Sequence, residues 1–225
     1  MKYILFIAFI LSVVSCAKHD GYTLTGLVPE AWEGKPVFLV LDDTNQPHFI
    51  DSTKISGGKF KFQGKFEVPR YCTINIYLDP NDRQTRSKII NFSLFIDSTA
   101  VEATCNYSGK HPVFQISGSG TQTEYQNYLS EIQPMEDDRS KTFHAYGEAY
   151  YSTKDLAKAI DLAKLVTEKR LAIREAKMKY LKAHPESAIS VKIAQELSDR
   201  NSDLSLKEIE GLFTSLSPEM QNSEM

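Results

Sequence analysis

The chain has 225 residues, 41% in the hydrophobic set and 24% charged, with 9 Pro, 11 Gly and 3 Cys. That composition excludes a wholly disordered, collagenous or disulfide-dense chain. A net charge of −3 lacks the strong basic footprint that nucleic-acid binding requires, and the length suits one moderate domain or two small ones.

The chain opens with a short positive segment at Lys2 and an apolar run from Tyr3 to Val14, broken only by Ser12. The run is shorter than the roughly 20 residues needed to span a bilayer. After a basic start it reads as the apolar part of a signal peptide, over residues 1–15. Val13-Val14-Ser15-Cys16 then resembles a bacterial lipobox, with Val13 where Leu is usual. The resemblance implies a diacylglyceryl thioether and an amide-linked acyl chain on Cys16. Each buried methylene would contribute about 0.8 kcal/mol, and two or more chains anchor stably. Residues 16–21 become a lipidated tether. The expected location is the cell envelope, with the periplasmic side of the outer membrane preferred. A plain secretory leader with an incidental cysteine is the other reading.

From 22 to 119 the apolar period is two. Val37, Leu39 and Leu41 alternate with Phe38 and Val40, a strand apolar on both faces; Phe60, Phe62 and Phe66 alternate with lysines at 59, 61 and 65. Gly57-Gly58 supplies the positive φ of a tight hairpin turn. Further strands are expected at 22–28, 48–54, 72–78, 89–96, 101–106 and 113–117. Turn-rich pieces at 42–45, 79–82 and 109–112 separate them. About eight short strands at this spacing predict an antiparallel β-sandwich or barrel, of which the sandwich is the expected form.

From 120 to 225 the period moves towards 3.6, so the expected class is α+β: the sandwich, then an α-helical hairpin and short helices. Tyr125, Tyr128, Leu129 and Ile132 share one helical face, and Pro134 is expected to kink or break that helix. Phe143, Tyr146, Tyr150 and Tyr151 recur at helical spacing. Ser152-Thr153-Lys154-Asp155 resembles a capping box opening a second long helix to about Ala183, with Leu162, Val166, Ile173 and Ala176 as its buried stripe. Shorter helices follow near 187–197 and 206–216, the latter opened by Ser205 with Glu208. Ser217-Pro218 starts a last turn. The first 120 residues carry net +1 and the remainder net −4. The densest acidic cluster, Glu136-Asp137-Asp138, reads as a solvated helix end or turn.

Catalytic chemistry is not apparent. No Cys-x-x-Cys exists. With Cys16 lipidated, Cys72 and Cys105 remain, and strand parity points both into the core. They are either two buried thiols or one structural disulfide, which an oxidising envelope permits. The five histidines share no metal-ligand spacing, and His184 is expected to meet the carbonyl end of its helix. No Gly-x-Ser-x-Gly elbow or phosphate loop is present. No catalytic residue, metal or cofactor is therefore expected. The best binding candidates are Phe143, Tyr146, Tyr150 and Tyr151, facing a partner or a sugar. Their helical spacing favours packing instead. The loop at 79–86 is a weaker candidate for glycan or peptide capture.

Several segments in order carry a family resemblance: Phe49-Ile50-Asp51-Ser52-Thr53, Gly57-Gly58-Lys59-Phe60-Lys61-Phe62-Gln63-Gly64, Ile116-Ser117-Gly118-Ser119-Gly120-Thr121, His184-Pro185-Glu186-Ser187 and Leu216-Ser217-Pro218-Glu219-Met220. Together they resemble the N-terminal region, domain of unknown function 4369, of TlpA- or AhpC/TSA-like thiol–disulfide interchange lipoproteins of Bacteroidetes. In that family a thioredoxin-like domain follows. This chain stops at Met225, so the redox activity is not carried over. The expected function is a non-enzymatic envelope lipoprotein serving as a recognition or spacer module. Its expected partners are the membrane, through the lipid anchor, and an envelope protein or thioredoxin-like domain. The alternative is a truncated or partner-dependent component of a TlpA-like oxidoreductase.

Overall fold

A computed structural model describes residues 21–41, 48–79, 88–107, 111–199 and 202–222. The expected leader, Cys16 with nearly all of its tether, the turn at 42–45, most of the 79–86 segment and half of the 109–112 segment lie outside the described residues.

Among the described residues, eight strands form two four-stranded sheets. They are β1 (Tyr22–Leu27), β2 (Pro36–Leu41), β3 (His48–Lys54), β4 (Lys59–Gly64), β5 (Arg70–Tyr77), β6 (Ile89–Ile96), β7 (Ala100–Tyr107) and β8 (Pro112–Ser117). One sheet has the order β4-β1-β7-β8 and the other β3-β2-β5-β6. The expected sandwich is present, with one departure: β1 pairs with β7 in parallel, while the other neighbours are antiparallel. Gly57 and Gly58 both adopt positive φ, 59° and 68°, and Ser56 and Lys59 exchange backbone hydrogen bonds across them. That is the geometry the glycine pair predicts. Alternating inward residues of both sheets, among them Leu24, Leu39, Phe60, Phe62, Ile74 and Leu94, close the first core.

The helices are α1 (Gly120–Gly147), α2 (Leu156–Ala183), α3 (Ala188–Leu197), α4 (Leu206–Thr214) and α5 (Pro218–Gln221). Pro134 sits inside α1 without breaking it, so of the expected kink or break the break does not occur. It lies on the exposed side of the helix, where the loss of one backbone hydrogen bond is tolerated while α1 packs against α2. The Glu136-Asp137-Asp138 cluster is likewise within the helix and not at an end. Glu136 pairs with Arg139 and Lys177, and Asp138 with Lys169. Ser152 does not cap α2. Asp155 does, accepting from the Lys158 amide at 3.1 Å, after a π-helical turn at Glu148–Ser152. The Ser205–Glu208 capping box and the Ser217-Pro218 start of α5 are as the sequence predicts.

A second core joins the helices to the outer face of one sheet. Phe95 of β6 packs with Tyr125, Tyr128, Ile132, Leu181 and Ile189. Neighbouring Leu94 and Ile96 point into the sandwich, so three consecutive residues of β6 are buried. The corner is held by polar contacts. The buried Gln122 side chain accepts from the Phe95 amide at 2.8 Å. Ser119 Oγ accepts from the Gln122 amide at 2.9 Å and donates to Asp97 Oδ2 at 2.7 Å. Gly118, at φ 94°, makes the bend; a Cβ there would lie 2.0 Å from the Ala100 carbonyl oxygen. Burial alone would raise the Asp97 pKa, but hydrogen bonds from Thr99, Ser119 and Thr121 outweigh it and hold the carboxyl below its usual value.

Gln122→Ala should lower unfolding free energy by about 1–3 kcal/mol in urea titrations, because the Phe95 amide is left buried without a partner. A depressed folded pKa gives stability that is present above the unfolded value and lost as pH falls through the folded one. Asp97→Asn should therefore flatten the acid side of the stability–pH profile, read by thermal melts between neutral pH and the carboxylate range.

Candidate functional site

The hairpin of α1 and α2 has a fixed base and an unsupported tip. At the base, Glu124 Oε1 accepts from Tyr180 Oη at 2.7 Å and Ser187 Oγ at 2.8 Å, tying α1, α2 and the start of α3 together. Lys192 lies 3.8 Å over the Tyr71 ring and 3.1 Å from Glu196, which also pairs with Lys177 at 3.0 Å. Burial would raise the Glu196 pKa, and these two lysines more than reverse it. No residue from 136 to 175 belongs to either apolar cluster. Twenty-eight residues per helix make each arm about 42 Å long at 1.5 Å per residue.

At the tip, the residues buried between the arms are small: Thr142, Ala149 and Ala159. Small side chains let the arms meet and leave no room for rings between them. The aromatic stripe therefore does not pack, contrary to what its spacing favours. Phe143 is 53% exposed, Tyr150 43% and Tyr151 68%, with Tyr146 half-buried. The rings form a ladder, with centroids 6.0 Å apart for Phe143–Tyr146, 5.8 Å for Tyr146–Tyr150 and 4.8 Å for Tyr150–Tyr151. The chain reverses through the π-helical turn, where the Thr153 amide donates to the Glu148 carbonyl at 3.0 Å, and through Lys154 at φ 58°.

Two further residues join this surface that the periodicity of 162, 166, 173 and 176 did not single out: Leu156 and Ile160, 59% and 57% exposed. At about 100° per residue, Phe143 and Tyr146 sit roughly 40–100° from Thr142 in the sense of increasing residue number, and Tyr150, in the π-helical turn, stacks on Tyr146. Leu156 and Ile160 sit roughly 60–100° from Ala159 in the same sense. In an antiparallel pair these two flanks lie on one side. One face of the tip thus carries an aromatic row beside an aliphatic row. The signal was legible in the sequence as apolar residues four apart, offset from the buried stripe.

Other candidates carry less. A cleft of about 300 Å³ between α1, α2 and the segment joining α3 to α4 is lined by Arg139, Arg170, Arg174 and Lys177. Its cations are engaged internally: Asp203 holds Arg170 at 3.1 Å and Arg174 at 3.0 Å, and Glu136 holds Arg139 at 3.0 Å. The Tyr128 hydroxyl is buried with no hydrogen-bond partner among the described residues, beside a cleft of about 270 Å³ that includes Tyr180 and His184. Burial raises its pKa, so it stays neutral. The His184 backbone amide meets the Tyr180 carbonyl at 3.0 Å and its ring lies 4.5 Å from the Tyr180 ring.

Cys72 on β5 and Cys105 on β7 lie in different sheets, and no disulfide joins them. Cys72 is fully buried. Cys105 is only half-buried near the end of its strand, and burial pushes its thiol pKa up, which suppresses the thiolate. Among the described residues no cluster of His, Cys, Asp or Glu is arranged to hold a metal ion, and no helix is long and apolar enough to cross a membrane.

Residues 22–125 match the family described as Domain of unknown function (DUF4369). The matched segment spans all eight strands and ends at Tyr125, whose ring packs 5.1 Å from that of Phe95. The exposed tip of the hairpin lies beyond it. No curated protein matches the chain.

Because nothing among the described residues buries the tip face, Tyr151→Ser and Ile160→Ser should each change unfolding free energy by less than about 0.5 kcal/mol, whereas Phe95→Ala should cost about 3–5 kcal/mol. Chemical denaturation of the three variants reads the contrast.

Proposed function

We propose that the protein is a non-enzymatic, lipid-anchored recognition and spacer module of the cell envelope. In this reading the sandwich is the platform, Cys16 carries the anchor, and the hairpin arms carry a contact surface away from the platform. The observation that carries it is the apolar face at the hairpin tip. Exposed apolar area concentrated in one place marks an interaction surface, because scattered hydrophobes are ordinary and a contiguous patch is not. The lipobox-like Val13-Val14-Ser15-Cys16 supports the anchor.

A component of a thiol–disulfide system is the second reading. What supports it is the order of sequence segments that resembles TlpA-like lipoproteins. On this reading the chain acts only together with a thioredoxin-like domain.

Labelled palmitate should enter the protein in growing cells, and Cys16→Ala should abolish both the label and the partitioning with membranes. Retained partitioning of the variant would refute the anchor. The purified chain should give no turnover in an insulin-reduction assay; measurable turnover would overturn the non-enzymatic reading.

A further inference from the structure

We infer that the occupant of the tip face is a second copy of this chain, the two hairpins pairing side by side into a four-helix arrangement. This rests on the reading of the tip as a contact surface and names its partner.

Three features of the face favour self-association. The first is self-complementarity. A two-fold axis along the hairpin, lying in the contact plane, sets α1 of one copy over α2 of the other. The aromatic row, Phe143, Tyr146 and Tyr150, then meets the aliphatic row, Leu156 and Ile160, and the reverse contact repeats it. Ring against branched aliphatic chain fills space better than either row against itself. The two hairpins also run in the same direction, as two copies tethered to one membrane would.

The second is area. An aromatic side chain offers about 150–250 Å², so the exposed fractions leave roughly 500 Å² of apolar face per copy. A pair would bury about 1,000 Å², near the low end of specific interfaces, which predicts a weak, concentration-dependent dimer. Confinement to a membrane surface would raise the effective concentration of two tethered copies.

The third is charge. Between 141 and 164 the tip carries Lys141, Lys154, Lys158 and Lys164 against Glu148, Asp155 and Asp161. Mixed signs near balance do not oppose two identical faces. The same near-balance gives little attraction to an anionic bilayer, which favours a clear excess of Lys and Arg. The face is also continuous with a covered one. On the same side of the hairpin, nearer its base, Arg170 and Arg174 are engaged by Asp203 from the segment before α4. Cover stops where the apolar residues begin.

The test is cross-linking of the full chain in its native membranes with a bismaleimide of about 13 Å reach. Ala163→Cys places a thiol on the apolar flank, and Leu165→Cys places one on the opposite flank; both positions are exposed. Position 163 should give a species of twice the chain mass, in at least tenfold higher yield than position 165. Adding Ile160→Glu to the 163 variant should cut that yield at least tenfold while leaving the thermal midpoint unchanged. Equal yields at the two positions, or a yield indifferent to Ile160→Glu, would overturn the proposal. So would a monomer whose introduced thiol at position 163 is shielded from a water-soluble maleimide only when membranes are present, since lipid would then be the occupant. Palmitate incorporation is scored on the same samples, so failure of the pairing and failure of the anchor are read separately.

Discussion

The C-terminal end of one strand, buried on both faces, organises this molecule. Leu94 and Ile96 of β6 close the sandwich, and Phe95 between them anchors the helices. Where Leu94, Phe95 and Ile96 are buried in succession the strand has no solvated face to tolerate slippage, so its register is fixed there by two cores at once. β6 is also the edge of its sheet, where unpaired backbone groups are exposed to unwanted pairing. Gln122 supplies the missing acceptor for the Phe95 amide, and Ser119 and Asp97 fix the turn that brings Gln122 there. The polar corner and the apolar contact are one device.

From that corner the two halves acquire a fixed relation. Tyr125 packs edge to face on Tyr71 and Phe95, which tilt against each other, with centroids 5.1–5.6 Å apart. Aromatic pairs in this arrangement add stabilisation beyond the area they bury. Lys192 over Tyr71 and the Glu124 pair of hydrogen bonds extend the joint into α3 and α2. Beyond residue 136 the arms meet through Ile173, the small residues Thr142, Ala149 and Ala159, and ion pairs such as Asp138–Lys169 near the surface. Surface ion pairs of this kind contribute little, typically about 0–1 kcal/mol each. The base is therefore over-determined and the tip is not. That gradient suits a surface whose form is completed by contact with another molecule.

The outer arms make sense of an otherwise costly arrangement. A folded chain could have turned its aromatic ladder inwards by placing small residues outside. It does the reverse: Thr142, Ala149 and Ala159 face inwards while Tyr150, Tyr151, Leu156 and Ile160 face water. Such an inversion is unfavourable for an isolated chain and is relieved when the face is covered. The cysteines carry no comparable signal, since Cys105 is held protonated by burial.

Local patterning determined the strands, the Gly57-Gly58 turn, the Ser205–Glu208 cap and the division near residue 119. Each of these depends on residues adjacent in sequence, where alternation, positive φ and capping chemistry are read directly. Tertiary structure alone decided the parallel pairing of β1 with β7, because strand order depends on which distant edges meet. It decided that α1 runs through Pro134, because an exposed break in hydrogen bonding is tolerated when the opposite flank is packed. It also decided the fate of the aromatic stripe. Helical spacing shows that Phe143, Tyr146 and Tyr150 share a face, but the same spacing suits a buried face and an open one. Only the position of the second arm, set by the small residues between them, left that face to solvent.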